Sequence, residues 1–229
     1  MSALRGRLAV VTGASRGIGL AVARSLAGAG VRVVRVARSL TRGVHDGFAD
    51  YPADIADPAA VERLAAGVLA EAGTPDLLVN NAGVFDRMPF EQAPVAELIR
   101  QLQVNLVGAF AVTQAFIPAM RQAGQGLVIT LGSVADLTAY PENSIYSATK
   151  FGLRGLHETL AAEYRGTGLR FSLVSPGPTD TPIWDAVGGG RPVRSRTEML
   201  TAADVAEAVL FVATRPPRVT IDALRLTPS

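Results

Sequence analysis

Short apolar runs alternate along the chain with longer segments in which apolar residues recur at helical spacing. A strand that is covered on both faces reads as a mostly apolar run, and we predict strands at residues 8–11, 31–37, 47–51, 76–79, 126–131, 169–174 and 219–226. Helical spacing predicts helices over residues 20–29, 59–72, 94–123, 144–155 and 201–213. This alternation predicts an α/β fold, a doubly wound parallel sheet of about seven strands with helices on both faces, in a single domain.

Two segments depart from the regular alternation. Residues 41–52 are too few and too irregular for a full crossover helix, so we expect a turn where a second helix would otherwise stand. Residues 94–123 are apolar around much of the helix circumference. That pattern is typical of a helix that is buried or that contacts another subunit.

A glycine-rich turn follows the first predicted strand and leads into the first predicted helix. It spans residues 12–19 and reads Thr-Gly-Ala-Ser-Arg-Gly-Ile-Gly. Glycines let the backbone approach a pyrophosphate closely, and the helix N-terminus attracts its negative charge. In this context the turn predicts nucleotide binding, with a purely structural turn as the alternative.

The end of the second predicted strand indicates which dinucleotide would bind. An acidic residue there would accept a hydrogen bond from the 2′-hydroxyl of NAD, whereas arginine accommodates the 2′-phosphate of NADP. The sequence has Ala37 and Arg38 at this point, and Arg16 lies in the glycine-rich turn. These residues favour NADP(H), unless both arginines are ordinary surface residues.

Polar and small residues follow the next two predicted strands. Asp54 and Ile55 come after the third strand, and Asn81, Ala82 and Gly83 come after the fourth. Turns at the carboxyl edge of a parallel sheet are suited to contact a cofactor. Asp54 could accept a hydrogen bond from an adenine amino group, or it could simply stabilise a turn.

Tyr146 and Lys150 are the strongest candidates for catalysis. Their spacing places both side chains on one face of a helix, and Lys150 is the only lysine in the chain. A nearby ammonium group would lower the pKa of the phenol and suit it to proton exchange. Because this spacing is common on helices, a surface lysine beside a core tyrosine is the alternative.

Further polar positions accompany this pair. Ser133 follows the fifth predicted strand and could hydrogen-bond a substrate oxygen. Asn105 lies in the middle of the long apolar helix, where it could bond the backbone or hold a water in a proton relay. The segment 176–181 follows the sixth strand, and the Gly- and Arg-rich residues 183–197 are a candidate lid.

Together these residues resemble the short-chain dehydrogenase/reductase family, and the resemblance covers nearly the whole chain. It implies a Rossmann fold and an NADP-preferring oxidoreductase that transfers hydride between a nicotinamide and a carbonyl or secondary alcohol. The implied catalytic residues are Asn105, Ser133, Tyr146 and Lys150, with Tyr146 as general acid/base. The implied contacts with NADP(H) come from Gly13, Ser15, Arg16, Gly17, Ile18, Gly19, Arg38, Ser39, Asp54, Ile55, Asn81, Ala82, Gly83, Tyr146, Lys150, Pro176, Gly177, Thr179 and Thr181.

Two other functions stay open beside the implied one. A catalytically silent nucleotide sensor or scaffold could keep the same fold, but it would have no need of all four implied catalytic residues. An epimerase or dehydratase with tightly held NAD is disfavoured by the missing acid after the second strand. The substrate depends on residues 134–143 and 183–197, whose shapes the sequence does not give.

Composition limits the remaining classes of partner. There is no cysteine, so disulfides and cysteine-based zinc sites are excluded, and no metal is expected. The net charge is +2 without a basic block, so we do not expect nucleic acid binding. No apolar run reaches the roughly 18 residues of a membrane span, and no signal peptide is apparent. We therefore expect a cytoplasmic protein without membrane contact. The resemblance implies a small carbonyl or alcohol substrate and a homo-oligomer, tetramer or dimer.

Overall fold

The computed structural model describes residues 4–186 and 195–229. The strands are β1 (Leu8–Thr12), β2 (Arg32–Val36), β3 (Gly43–His45), β4 (Phe48–Tyr51), β5 (Leu77–Asn80), β6 (Gly126–Leu131), β7 (Leu169–Pro176), β8 (Thr179–Asp180), β9 (Leu200–Thr201) and β10 (Ala223–Leu226). The α-helices are α1 (Gly17–Gly28), α2 (Pro58–Glu71), α3 (Val95–Leu102), α4 (Ala109–Gln122), α5 (Ser144–Glu163) and α6 (Ala202–Ala213).

The main sheet has eight strands in the order β10-β7-β6-β5-β1-β2-β4-β3. Within it the described strand pairs are parallel, except that β3 runs antiparallel to β4. From β1 the chain moves outward through β2 and β4, then returns to the other side of β1 as β5. Ligands of open α/β sheets bind at the carboxyl ends of the strands beside such a reversal, so β1 and β5 mark where a site should lie.

Helices cover both faces of the sheet, and each face has its own apolar core. Helices α1 and α6 pack on one face, where Leu26 and Val209 are fully buried. Helices α2 and α4 lie on the other face, with Val68 and Phe116 fully buried between helix and sheet. The predicted doubly wound α/β fold is confirmed.

The crossover between β2 and β4 contains a β-hairpin in place of a helix. The expectation that no full helix fits here is confirmed, but the sheet gains β3, which we had not predicted. The hairpin turns at Asp46 and Gly47, whose φ angles of 53° and 81° are left-handed. Two consecutive left-handed residues form the tight turn that matches the twist of paired strands, and the sequence Asp-Gly is well suited to it.

The long predicted helix is continuous from Val95 to Gln122 but changes its winding in the middle. Gln103–Gly108 is a π-helical segment between α3 and α4. By length and composition Val95–Gln122 could cross a membrane; in this fold it packs against α2 and α5, as the core helix of a globular protein does. The π-helical segment carries Asn105, and π-helical turns are frequent at functional sites.

The predicted boundaries of α1 and of the last strand need correction, and part of the candidate lid cannot be compared with the structure. Helix α1 begins at Gly17, three residues before the predicted start, because the glycine-rich turn already has helical hydrogen bonding there. The last strand covers only Ala223–Leu226, since residues 219–222 are not part of the ladder. Of the candidate lid, residues 187–194 lie outside the described part of the chain.

Candidate active site

A cavity of about 900 Å³ opens at the carboxyl edge of the sheet beside β1 and β5. Most of the predicted site residues line it, namely Gly13, Ser15, Arg16, Gly17, Ile18, Arg38, Ser39, Asp54, Ile55, Asn81, Ala82, Gly83, Ser133, Tyr146, Lys150, Pro176, Gly177, Thr179 and Thr181. Gly19 and Asn105 are the two predicted residues that do not line it. The structure thus brings together segments that are far apart in sequence.

The glycine-rich turn presents the N-terminus of α1 to this cavity. Arg16 precedes the helix in an extended conformation, its side chain does not cap the helix, and no acidic residue lies in the first turn. Gly13 and Gly17 have left-handed φ angles of 67° and 57°. Among the described residues, no N-cap side chain or first-turn carboxylate therefore competes for the first N–H groups of α1, which suits a phosphate anion.

Gly19 supports the turn from behind. A β-carbon at Gly19 would clash with the carbonyl oxygen of Gly13 and the amide nitrogen of Asn81. At Gly13 a β-carbon would lie 2.7 Å from Cα of Ala82. The first turn of α1 therefore packs directly on the backbone of Gly13, and Gly13 packs on the backbone of the loop after β5, so that only glycine fits at positions 13 and 19.

Thr12 and Asn81 join the ends of β1 and β5. The Asn81 side chain donates to the carbonyl oxygen of Thr12 at 2.9 Å. The backbone N–H groups of Asn81 and Ala82 donate to the Thr12 hydroxyl oxygen at 3.0 and 3.1 Å. These bonds hold the two loops at the reversal point in one arrangement.

Arg38 and Asp54 lie together at one end of the cavity. Asp54 accepts from the backbone N–H of Ala56 at 3.0 Å, so it does stabilise a turn. Its other carboxylate oxygen is 3.8 Å from the Arg38 guanidinium, and both side chains are well exposed. Arg38 is therefore available to a ligand, and Asp54 is held at its side.

Tyr146 and Lys150 lie one turn apart on α5, as their spacing predicts. Lys150 is buried and donates from Nζ to the carbonyl oxygen of Leu131 at 2.9 Å, while Nζ is 5.6 Å from the centre of the Tyr146 ring. Burial lowers the pKa of Lys150 to about 8, with the charge of Asp136 acting against that shift. Burial also raises the pKa of Tyr146 to about 12; a hydrogen bond with Ser133 lowers it and the charge of Asp136 raises it further.

The pKa of Tyr146 thus differs from the sequence expectation. We expected the Lys150 ammonium to lower it, but the phenol loses its solvation in the cavity wall, and that cost to the phenolate dominates. A phenol with a pKa near 12 is neutral at pH 7. In this arrangement Tyr146 is suited to donate a proton.

Ser133 lies between Tyr146 and the short 3₁₀ turn Val134–Asp136. Its hydroxyl oxygen accepts from the N–H of Ala135 at 3.1 Å, and its own N–H donates to the Asp136 carboxylate at 3.3 Å. This reciprocal capping fixes the Ser133 side chain. The hydroxyl proton remains for Tyr146 or for a substrate oxygen.

Asn105 is buried behind the cavity. Its amide nitrogen donates to the carbonyl oxygen of Val84 at 2.9 Å and to the Thr149 hydroxyl at 3.1 Å, and its oxygen accepts from the N–H of Val84 at 2.8 Å. Both N–H donors are therefore used by protein atoms. The side chain thus bonds the backbone of the loop after β5 and joins that loop to α5. The role in a water relay stays a prediction.

Aromatic residues form the cavity wall beside Tyr146, and sequence reasoning missed them. The Phe85 ring packs edge to face with Tyr146 at 4.7 Å and with Trp184 at 5.3 Å between centroids. The indole N–H of Trp184 donates to the carbonyl oxygen of Thr179 at 2.9 Å. The polar atom of Trp184 is thus occupied, and these two rings offer mainly hydrocarbon to the cavity.

Comparison with known proteins now identifies the family. The family model described as short chain dehydrogenase matches residues 7–191, which is most of the chain. The chain belongs to the short-chain dehydrogenase family. The resemblance stated from the sequence is confirmed.

Several characterised proteins are similar to this short-chain dehydrogenase. D-threitol dehydrogenase of Mycolicibacterium smegmatis is 38% identical over 202 residues, which cover 81% of this chain and 76% of that protein. An alcohol dehydrogenase from Thermococcus sibiricus, solved in complex with 5-hydroxy-NADP, is 30% identical with a TM-score of 0.85 and covers 97% of this chain and 96% of its own. Serine dehydrogenase from Escherichia coli is 29% identical, also with a TM-score of 0.85, and covers 96% and 97% respectively. The protein is accordingly an oxidoreductase that acts on CH–OH groups.

Proposed function

We propose that this short-chain dehydrogenase is an NADP(H)-dependent carbonyl reductase and alcohol dehydrogenase in which Tyr146 is the general acid/base. The observation that carries the proposal is the shared cavity. Its wall includes Ser133, Tyr146 and Lys150, and also the glycine-rich N-terminus of α1. A proton donor and an anion-binding helix end in one cavity fit a dinucleotide and a carbonyl side by side.

Each of the three polar residues has a distinct task in the proposed reaction. A bound nicotinamide supplies the hydride in reduction or accepts it in oxidation. Ser133 holds the substrate oxygen, and Tyr146 gives that oxygen a proton during reduction or takes it during oxidation. Lys150 provides positive charge near the phenol and bonds the hydroxyl groups of the nicotinamide ribose. Asn105 lies behind the cavity and holds the loop after β5 through its hydrogen bonds with the backbone of Val84.

The preference for NADP(H) rests on Arg38 and Arg16. Both line the cavity, and no acidic residue follows Val36 directly, where a carboxylate would accept from a ribose hydroxyl. The similar alcohol dehydrogenase from Thermococcus sibiricus was solved with an NADP derivative. Guanidinium groups bind phosphate well because they combine charge with several N–H donors.

The preferred substrate in this proposal has an apolar or aromatic group beside its carbonyl. Phe85 and Trp184 face the cavity next to Tyr146, and the only polar atom of the Trp184 ring already donates to Thr179. A hydroxyl group placed against these two rings would lose its water contacts without gaining a replacement hydrogen bond from them. The substrate named for the threitol dehydrogenase relative is therefore not our first choice for this chain.

A substrate panel tests the proposal. We would measure NADPH consumption with aryl and branched aliphatic aldehydes and ketones, and with polyol-derived ketoses such as erythrulose. Turnover should be clear with the first group and weak with the second. Turnover with neither group would favour a nucleotide sensor, and a preference for the ketoses would remove the apolar substrate class.

The Tyr146→Phe variant tests the chemistry separately. It should lose turnover by roughly 100-fold or more, because proton transfer is removed. NADPH binding, measured by calorimetry, should stay within about twofold, since the proposed phosphate contacts come from other segments. Retained turnover in this variant would exclude Tyr146 as the general acid.

A further inference from the structure

Asp136 is a buried carboxylate at the candidate active site that sequence reasoning did not single out. It ends the 3₁₀ turn Val134–Asp136 and is 1% exposed. One of its oxygens, Oδ2, accepts from the Ser175 hydroxyl on β7 and from the N–H of Ser133. A β-carbon at Gly132 would clash with this same oxygen, so only glycine at position 132 leaves room for the carboxylate.

The other carboxylate oxygen of Asp136 faces two positive charges. Oδ1 accepts no hydrogen bond from the residues that the structure describes. It lies 3.7 Å from the guanidinium of Arg225 on β10 and 3.9 Å from that of Arg154 on α5. Arg154 is shared, because it also bonds Glu158 at 2.7 Å. The carboxylate therefore joins the C-terminal strand and α5 to the turn that holds Ser133.

The charge of Asp136 acts on both ionisable groups of the site. It raises the pKa of Tyr146, because a nearby anion disfavours the phenolate. It also raises the pKa of Lys150, because the same anion favours the ammonium form. Arg154 and Arg225 lie 3.9 and 3.7 Å from Oδ1, and opposite charges at this distance should offset part of the negative charge that Tyr146 and Lys150 experience.

We propose that Asp136 is a positioning residue that fixes Ser133 in its capping turn and, balanced by Arg154 and Arg225, sets the electrostatic potential at Tyr146 and Lys150. This inference rests on the proposed function, because it assigns roles relative to proton transfer by Tyr146. Strand β10 thereby influences proton transfer by Tyr146 through the charge of Arg225, although Arg225 does not line the cavity.

The test compares variants that change the local charge in opposite directions. In alcohol oxidation the rate rises with pH as the general base loses its proton. With NADP+ bound, the positive nicotinamide ring beside the phenol would lower the pKa of Tyr146 from its value of about 12, and the midpoint of the rise is measured in that complex. Asp136→Asn removes an anion and should lower the midpoint by roughly one pH unit. Arg225→Gln and Arg154→Gln each remove a cation and should raise it. The double variant Asp136→Asn with Arg225→Gln should return towards the wild-type midpoint.

An equally buried carboxylate away from the site provides the matched control. Asp50 on β4 is 2% exposed and pairs with Arg35 at 2.6 Å, and β5, β1 and β2 separate its strand from β6. Asp50→Asn should lower thermal stability and leave the midpoint unchanged. If the Asp136 and Arg225 variants both left the midpoint in place, or moved it in the same direction, the proposal would be overturned.

The proposal stays testable if Asp136→Asn does not fold or if the wild-type protein shows no turnover. If Asp136→Asn does not fold, the two arginine variants carry the test alone, and an unmoved midpoint in both would refute the proposal. If the wild-type protein shows no turnover, the proposed function has failed. In that case the ultraviolet absorbance of tyrosinate can be titrated against pH. Subtracting the titration of Tyr146→Phe from that of the protein with Tyr146 leaves the ionisation of Tyr146 alone. The same opposite shifts are expected there, and their absence would count against the role of Asp136.

Discussion

Arg38 is the residue at which cofactor preference can be tested most directly. Its guanidinium lines the cavity, is 70% exposed and lies 3.8 Å from Asp54. Arg38→Asp should weaken NADPH binding by roughly 10- to 100-fold, which is the cost of losing a hydrogen bond to a charged group. NADH binding should change less or improve, because a carboxylate can accept from the ribose hydroxyl. Calorimetric titration with both cofactors measures the ratio of their affinities.

The control for Arg38→Asp makes the same change of charge elsewhere. Arg63 on α2 is 72% exposed, pairs with Asp57 at 3.7 Å and does not line the cavity. Arg63→Asp should leave the ratio of the two affinities as it is in the wild-type protein. If Arg38→Asp also left this ratio unchanged, the 2′-phosphate contact would have to be assigned to another residue.

Individual site residues were predictable from sequence where a local pattern carried them. Tyr146 and Lys150 follow from helical spacing, and Gly13 and Gly17 follow from their place between a strand and a helix. Asp136 was missed, although Ser-Val-Ala-Asp is a capping pattern, because its contacts with Ser175 and Arg225 come from segments distant in sequence. The pKa of Tyr146 was also mispredicted, since burial depends on the whole wall of the cavity.

At the scale of elements, two of the three glycines of α1, Gly19 and Gly28, should respond very differently to substitution. A β-carbon at Gly19 would clash with the Gly13 carbonyl, whereas a β-carbon at Gly28 would meet nothing within 4 Å. Gly19→Ala should lower thermal stability and abolish NADPH binding, because the turn must move away from the loop after β5. Gly28→Ala should be neutral or stabilising by up to about 1 kcal/mol, as expected from helix propensity.

Thermal melts and calorimetric NADPH titrations of the two variants form a matched pair. Both carry the same substitution in the same helix, so a general effect of alanine on α1 would appear in each. Equal behaviour of the two variants would show that the close contact between Gly19 and Gly13 is not needed for the phosphate-binding turn.

The elements that could be predicted are those with enough apolar residues to show a helical or a strand periodicity in the sequence. The buried strands and α2 follow from sequence. In the structure, Asp57 caps α2 by accepting from the N–H of Ala59 at 3.0 Å. Strand β3 was missed because Gly43–His45 is short and mostly exposed, with Val44 76% exposed. The π-helical segment was also missed, since one additional residue per turn leaves little trace in an apolar helix.

At the scale of the whole molecule, exposed apolar side chains on α3, α4 and α5 predict self-association. Ile99 is 58% exposed, Phe110 46% and Phe151 45%. Apolar groups clustered on helices commonly mark an interface between subunits. We propose a homo-oligomer, dimer or tetramer, that buries these helices. Light scattering should give a mass that is a multiple of the 23.9 kDa chain.

Charged substitutions would locate the proposed interface. Ile99→Glu combined with Phe110→Glu should shift the mass towards that of one chain, because carboxylates are costly to bury. Val44→Glu on β3 introduces the same charge at an exposed apolar position far along the sheet and should leave the mass unchanged. A wild-type protein that is monomeric at micromolar concentration would contradict the proposal.

Trp184 has a consequence for how this protein can be studied, because it is the only tryptophan in the chain. Its ring forms part of the cavity wall and touches Phe85, which in turn touches Tyr146. The intrinsic tryptophan fluorescence of the whole protein therefore originates at a single point beside the proposed reaction centre. Occupancy of that cavity can be followed by the emission of the unmodified protein, without a dye or an engineered probe.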